Sequence, residues 1–142
     1  MKLPIGEKNE VGEEEKIRIK EKIKEILEKS RFVEFAFLHG SFVERKYFND
    51  IDIAIWVKKE KKRDIEKLEE ELDYVIDFPI DLKILNSAPP LFKYLVFTKG
   101  KLIVCKNEAK VLEEKRRALS EYFDFLPLKR RFEREFLWKK LG

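Results

Sequence analysis

The stretch Asn49-Asp50-Ile51-Asp52-Ile53-Ala54-Ile55-Trp56-Val57 constrains this chain more than any other. Side chains alternate faces along a strand. As a strand, the segment lays Ile51, Ile53, Ile55 and Val57 on one face, an apolar surface that helices must cover. Asp50 and Asp52 then share the other face at the strand's beginning, with Trp56 further along it. Carboxylates two strand residues apart stand about 7 Å from each other at the backbone. Unrelieved, their repulsion costs about 2 kcal/mol at an effective dielectric of about 20. A strand that keeps both acids on one face points to a cation between them. A hard divalent ion held by oxygen ligands, Mg²⁺ first, is the natural candidate. An isolated Asp-x-Asp also marks turns and strand ends, where acids bond local amides, so the surroundings decide.

Those surroundings favour chemistry. An apolar run from Phe32 closes at Leu38-His39-Gly40-Ser41. Gly40 permits a positive φ or a close backbone approach. Ser41 is expected to cap a short helix over Phe42 to Arg45, whose first amides are open to an anion. One strand thus ends in a phosphate cradle and the next begins with a metal-binding pair. Nucleotidyl transfer needs both. A third acid, Asp81, sits in Ile80-Asp81-Leu82-Lys83-Ile84-Leu85, a strand otherwise rich in apolar residues. A carboxylate there is costly unless paired or metal-bound. If this strand lies beside the Asp50–Asp52 strand, Asp81 reaches the same ion, or takes the proton of an attacking hydroxyl. Asp77, four residues upstream, falls in the approach loop before Phe78-Pro79.

The remaining pattern is a small α/β (α+β) fold, a short mixed sheet flanked by helices with a helical C-terminus. Glu13 to Lys29 predicts a helix, with Ile19, Ile23, Ile26 and Leu27 on one stripe and an acidic first turn. Lys61 to Val75 predicts another, with Ile65, Leu68, Leu72 and Val75 on one face. Pro89-Pro90 opens a short helix to Thr98, Gly100 ends it, and Leu102 to Cys105 follows as an edge strand. From Asn107 onward the pattern is helical, with Val111, Leu112 and Leu119 apolar. Pro127 is expected to break it and start a last helix carrying Leu128, Phe132, Phe136 and Leu141. A length of 142 residues suits one domain, its core at about 15–106 and its helical segment at 107–142.

Composition narrows the class. The 44% apolar residues suffice for a core. No run is long and apolar enough to cross a membrane, and Met1 to Glu15 lacks the apolar centre of a leader. Cys105 is the only cysteine, which excludes an internal disulfide and a cysteine-based zinc site. The expectation is a soluble, cytoplasmic protein. With 42% charged residues and no Gln, the surface suits a hyperthermophile, where ion-pair networks replace thermolabile amides. Residues 1–114 carry a net charge of −1 and residues 115–142 carry +5. Any steering of an anionic partner therefore belongs to the C-terminal segment.

Gly40-Ser41, eight intervening residues, Asp50-Ile51-Asp52 and then Asp81 resemble the signature of the nucleotidyltransferase superfamily related to DNA polymerase β. In size and layout the chain is similar to the minimal nucleotidyltransferase (MNT) branch. The likeness runs over roughly 15–140 and takes in Pro89-Pro90-Leu91, Gly100-Lys101-Leu102-Ile103-Val104 and Tyr122-Phe123-Asp124-Phe125-Leu126-Pro127-Leu128. The resemblance implies Asp50 and Asp52 as Mg²⁺ ligands, Asp81 as the third catalytic and metal-binding carboxylate, and Gly40 and Ser41 as the triphosphate contacts. It implies AMP transfer from ATP to a tyrosine of a partner HEPN ribonuclease, which silences that toxin. The chain would act as the antitoxin, in a complex with its partner. The eight-residue spacer departs from the family's usual ten or so and lacks its Gly.

Rival readings remain open at this stage. A catalytically weak or inactive module would neutralise its partner by occlusion. A small-molecule transferase would want a second domain. Direct binding of nucleic acid through Arg116-Arg117, Lys129-Arg130-Arg131 and Lys139-Lys140 is the lesser reading, since such pairs also serve as solvated charge. His39, the lone histidine next to the cradle, reads as a structural residue, and Trp56 reads either as packing or as a surface on which a base could stack.

Overall fold

The structure is a computed structural model that describes residues 9–59 and 61–141, with side chains as far as Phe136. In chain order the elements are β1 (Asn9–Glu10), α1 (Glu13–Lys29), β2 (Val33–His39), α2 (Ser41–Glu44), β3 (Tyr47–Phe48) and β4 (Ile51–Val57). They continue with α3 (Lys62–Val75), β5 (Ile80–Ile84), α4 (Pro90–Lys99), β6 (Lys101–Cys105) and α5 (Glu108–Leu141). The main sheet has the order β5-β4-β2-β6. β5 runs parallel to β4, while β2 is antiparallel to both β4 and β6. The sheet is therefore mixed and flanked by helices, as its alternating strands and amphipathic stripes require.

The alternation of β4 divides the core in two. Ile51, Ile53, Ile55 and Val57 face the stripe of α1 (Ile19, Ile23, Ile26, Leu27) and Leu68 and Leu72 of α3. Burying each such side chain contributes about 1.5–3 kcal/mol. On the opposite face Ala54 joins Phe35 and Phe37 of β2 under Val96 and Phe97 of α4 and Val111 and Ala118 of α5. Trp56 lies on this second face and stacks on Phe35 with ring centroids 5.6 Å apart.

The structure departs from the sequence pattern at four points. Pro127 does not break the C-terminal helix. It lies inside a single α5 of 34 residues. Pro127 and Phe123 are exposed, so the Phe123 carbonyl, which loses its N–H donor, is left to water. The face of α5 that the domain covers is Val111, Glu114 and Ala118, whereas Leu112 is exposed. Glu114 is tolerated inside because Lys110 and Arg117 pair with it at 3.2 and 3.3 Å. Ser41 is the first residue of α2 rather than its cap, and the cap position belongs to Gly40. Finally, β1 and β3 form a separate two-stranded sheet that no apolar pattern signals. The side chains of Trp138, Lys139, Lys140 and Leu141 lie outside the described residues, as do residues 1–8 of the N-terminal stretch.

Candidate active site

Parallel pairing of β4 with β5 places Asp52 directly opposite Asp81. Asp50 precedes the same strand on the same face. One oxygen from each of Asp50, Asp52 and Asp81 lies within 4.8 Å of the others, and all three residues are partly buried. Two strands thus deliver three acids to one point because parallel register and two-residue alternation coincide there.

The electrostatics follow. Burial first, and then the charges of Asp50 and Asp81, push the Asp52 carboxyl up to about 7, with Lys83 partly offsetting them. Lys83 stands on the same face of β5, with its ammonium 3.6 Å from Asp81. Burial, helped by Lys83, holds the His39 imidazole below its usual range. His39 pairs with Asp52 across β2 and β4, sits edge-on to Phe92 at 5.3 Å, and leaves its buried Nε2 without a hydrogen-bond partner.

The turn after β2 closes the site. Gly40 has φ 75° and ψ −159°, which L side chains rarely adopt. A Cβ at this position would collide with Asp52 Oδ2. The amides of Val43 and Glu44 bond back to the Gly40 carbonyl, and that of Arg45 to Ser41. The N–H groups of Ser41 and Phe42 precede the first intrahelical bonds, beside the acids. Three oxygens at this spacing, with a raised carboxyl among them, suit one hard divalent cation completed by water or phosphate oxygens. The structure therefore brings Asp50, Asp52 and Asp81 together with Gly40 against Asp52, and Ser41 follows Gly40 as the first residue of α2. Asp77 is not part of the cluster.

Lys83 and Lys16 are site-associated residues that the sequence reading passed over. Lys16 is 7% exposed, and its ammonium donates to the carbonyls of Phe42 at 2.9 Å and Arg45 at 2.8 Å. A signal for it existed, because Lys16 lies three residues before Ile19 on the apolar stripe of α1.

Such a site, two acids opening one strand and a third on its parallel neighbour beside a glycine turn, could hold a divalent cation next to a phosphate-bearing substrate. Residues 21–109 match the family model described as polymerase beta, nucleotidyltransferase, and the chain belongs to that family. No curated protein matches it significantly. Among solved structures it is similar to a chain from a tri-AMPylated Shewanella oneidensis HEPN toxin in complex with MNT antitoxin. The TM-score is 0.71 and identity 20%, over 86% of this chain and 98% of the other. A toxin–antitoxin structure with AMP-PNP gives a TM-score of 0.72 and 20% identity, over 83% and 98% of the two chains. A MntA–HepT toxin–antitoxin structure gives 0.69 and 20%, over 85% and 98%. These likenesses establish the shared fold.

Proposed function

We propose that this chain is an MNT antitoxin, a protein adenylyltransferase that moves AMP from ATP to a tyrosine hydroxyl of a HEPN-domain toxin and so silences it. The observation that carries the reading is the convergence of Asp50, Asp52 and Asp81 on one point beside the Gly40 turn. Membership of the nucleotidyltransferase family and the fold shared with MNT proteins support it.

Asp50, Asp52 and Asp81 would hold Mg²⁺, which when bound offsets the negative charge of the triphosphate. The amides of the Gly40–Ser41 turn and the Ser41 hydroxyl contact the terminal phosphates. Asp81, at the edge of the cluster, accepts the proton of the acceptor hydroxyl. The hydroxyl oxygen attacks the α-phosphorus, the bond from that phosphorus to the β-bridging oxygen breaks, and pyrophosphate leaves with the electron pair. On this reading the protein acts in the cytoplasm, where ATP and its partner protein would be met. No helix among the described residues is long and apolar enough to cross a membrane.

The test incubates the protein with Mg²⁺, labelled ATP and the HEPN protein encoded beside it. Label on the partner tyrosine that disappears with Asp52→Asn is the expected result. Unlabelled partner that is neutralised equally by wild type and Asp52→Asn would favour the occlusion reading, which the short spacer between Ser41 and Asp50 motivates.

A further inference from the structure

The segment between the glycine turn and the first acid runs from Phe42 to Asn49 and contains no glycine. Two side chains from the N-terminal elements grip it. The Asn9 amide donates to the carbonyls of Phe48 at 3.2 Å and Asn49 at 3.3 Å, immediately before Asp50. Lys16 donates to Phe42 and Arg45, the carbonyls at the exit of α2. Its ammonium also lies 5.2 Å from the ring centre of Phe42 and 5.7 Å from that of Phe48. Those two rings are themselves packed edge to face at 4.9 Å.

Among the described residues no carboxylate pairs with Lys16. A buried cation is expensive unless its hydrogen bonds are made, and here backbone carbonyls and ring faces make them. A four-residue helix has too few internal bonds to hold its own orientation. The negative end of its dipole points at this ammonium. The direction in which α2 presents its first residues therefore depends on a side chain from another element.

We infer that Lys16 is a positioning residue for nucleotide binding: it anchors the exit of α2 and thereby aims the Gly40–Ser41 turn at the three acids. This rests on the adenylyl-transfer reading. Lys16 and Asn9 both lie upstream of residues 21–109, so the brace belongs to this chain's N-terminal elements rather than to the matched family segment. Lys16 does not touch the acids, which are carried by β4 and β5, so its loss separates nucleotide binding from metal binding.

The test compares wild type, Lys16→Met and Lys16→Gln as full chains. Four quantities are read: affinity for AMP-PNP with Mg²⁺, the kinetics of partner adenylylation, affinity for Mn²⁺ without nucleotide, and amide exchange across residues 41–49. For Lys16→Met we expect AMP-PNP affinity to fall and KM for ATP to rise about tenfold, with kcat changed less than about threefold. Mn²⁺ affinity stays within about twofold of wild type, because β4 and β5 still present the acids. Exchange at residues 41–49 accelerates, and Lys16→Gln, which keeps two donors, lies between the other two proteins. Unchanged nucleotide affinity, or Mn²⁺ affinity that falls in step with it, overturns the inference. If wild type itself does not bind AMP-PNP, the adenylyl-transfer reading fails. The brace is then judged by amide exchange, and no acceleration in Lys16→Met rejects it. Should the Met variant not fold, Lys16→Gln against wild type decides by the same readings.

Discussion

Gly40 and Asp52 are in contact so close that no side chain fits between them: a Cβ on Gly40 would run into Oδ2 of Asp52. The turn that ends β2 and the acid that faces the end of β2 are thus one unit. Glycine is required here twice, once for its positive φ and once for its missing methyl.

Gly40→Ala is therefore expected to do more than strain a turn. Holding alanine at this φ costs about 1–3 kcal/mol of stability. The methyl group also rotates Asp52 away from Asp50 and Asp81. Adenylylation should fall at least about a hundredfold, well beyond what that loss of stability explains. Partner labelling and a urea melt of the same preparation check this. Labelling within about threefold of wild type would show that Asp52 tolerates the shift.

The raised carboxyl of Asp52 sets a pH signature for the metal-free protein. Its folded value is about 7, against an ordinary value of 3.8. The folded state therefore binds more protons than the unfolded state between those two values. By linkage the contribution of Asp52 is most favourable at low pH and declines as pH rises from about 4 through about 7. In EDTA, Asp52→Asn should melt above wild type at pH 8, and the gap should shrink as pH falls through about 7 and close by about pH 4. Adding Mg²⁺ should reverse the order at pH 8, because only wild type keeps all three acids. Metal affinity should weaken as pH drops below about 7, since the ion competes with the proton on Asp52. A melting difference independent of pH would mean that Asp52 titrates normally.

How far the sequence discloses this arrangement depends on how local each signal is. The two-residue alternation of Ile51, Ile53, Ile55 and Val57 is dictated by strand geometry, so it identifies β4 and places Asp50 and Asp52 on its other face. Asp81 is recognisable because a carboxylate on an apolar strand needs a reason. Its exact register opposite Asp52 comes from the parallel pairing of β4 and β5, which no local pattern specifies. The two-residue strands β1 and β3 have no periodicity to read, and they pair across a gap of almost forty residues (Asn9 with Phe48). Lys16 falls on the apolar stripe of α1, but no local pattern shows that α2 will be laid over it. Pro127 misleads for the opposite reason. The local rule predicts a break, but an exposed helix relieves the lost bond with water.

Pro127 lies inside α5, where an N–H is missing and the ring presses on the preceding turn. Pro127→Ala should restore one helical bond and raise stability by about 1–3 kcal/mol, with more ellipticity at 222 nm and unchanged adenylylation. The bound on the gain is the roughly 3 kcal/mol intrinsic difference between the two residues. A variant no more stable than wild type would mean that the missing bond and the ring at this point are accommodated without cost.

The last prediction concerns the face that α5 carries beyond the domain. At about 100° per residue, Val111, Glu114 and Ala118, which the domain buries, point in nearly the same direction as Phe125, Phe132 and Phe136, with Leu128 on the flank of that strip. Phe125, Leu128, Phe132 and Phe136 are 38, 66, 69 and 50% exposed. The core-facing stripe thus continues past the core, and a contiguous apolar strip of this kind calls for a partner. A second copy would set one +5 segment against another, whereas a partner with an acidic helical face would not. The HEPN-domain protein of the proposed function is the occupant we expect. Phe132→Glu should weaken that complex by at least about tenfold while leaving the melting temperature of the isolated chain and its AMP-PNP affinity unchanged, since Phe132 packs on nothing in the core. Sedimentation of the isolated chain should show no self-association through this face. An undiminished complex with Phe132→Glu would place the partner elsewhere on the molecule, and a dimer of the isolated chain lost in that variant would assign the strip to a second copy.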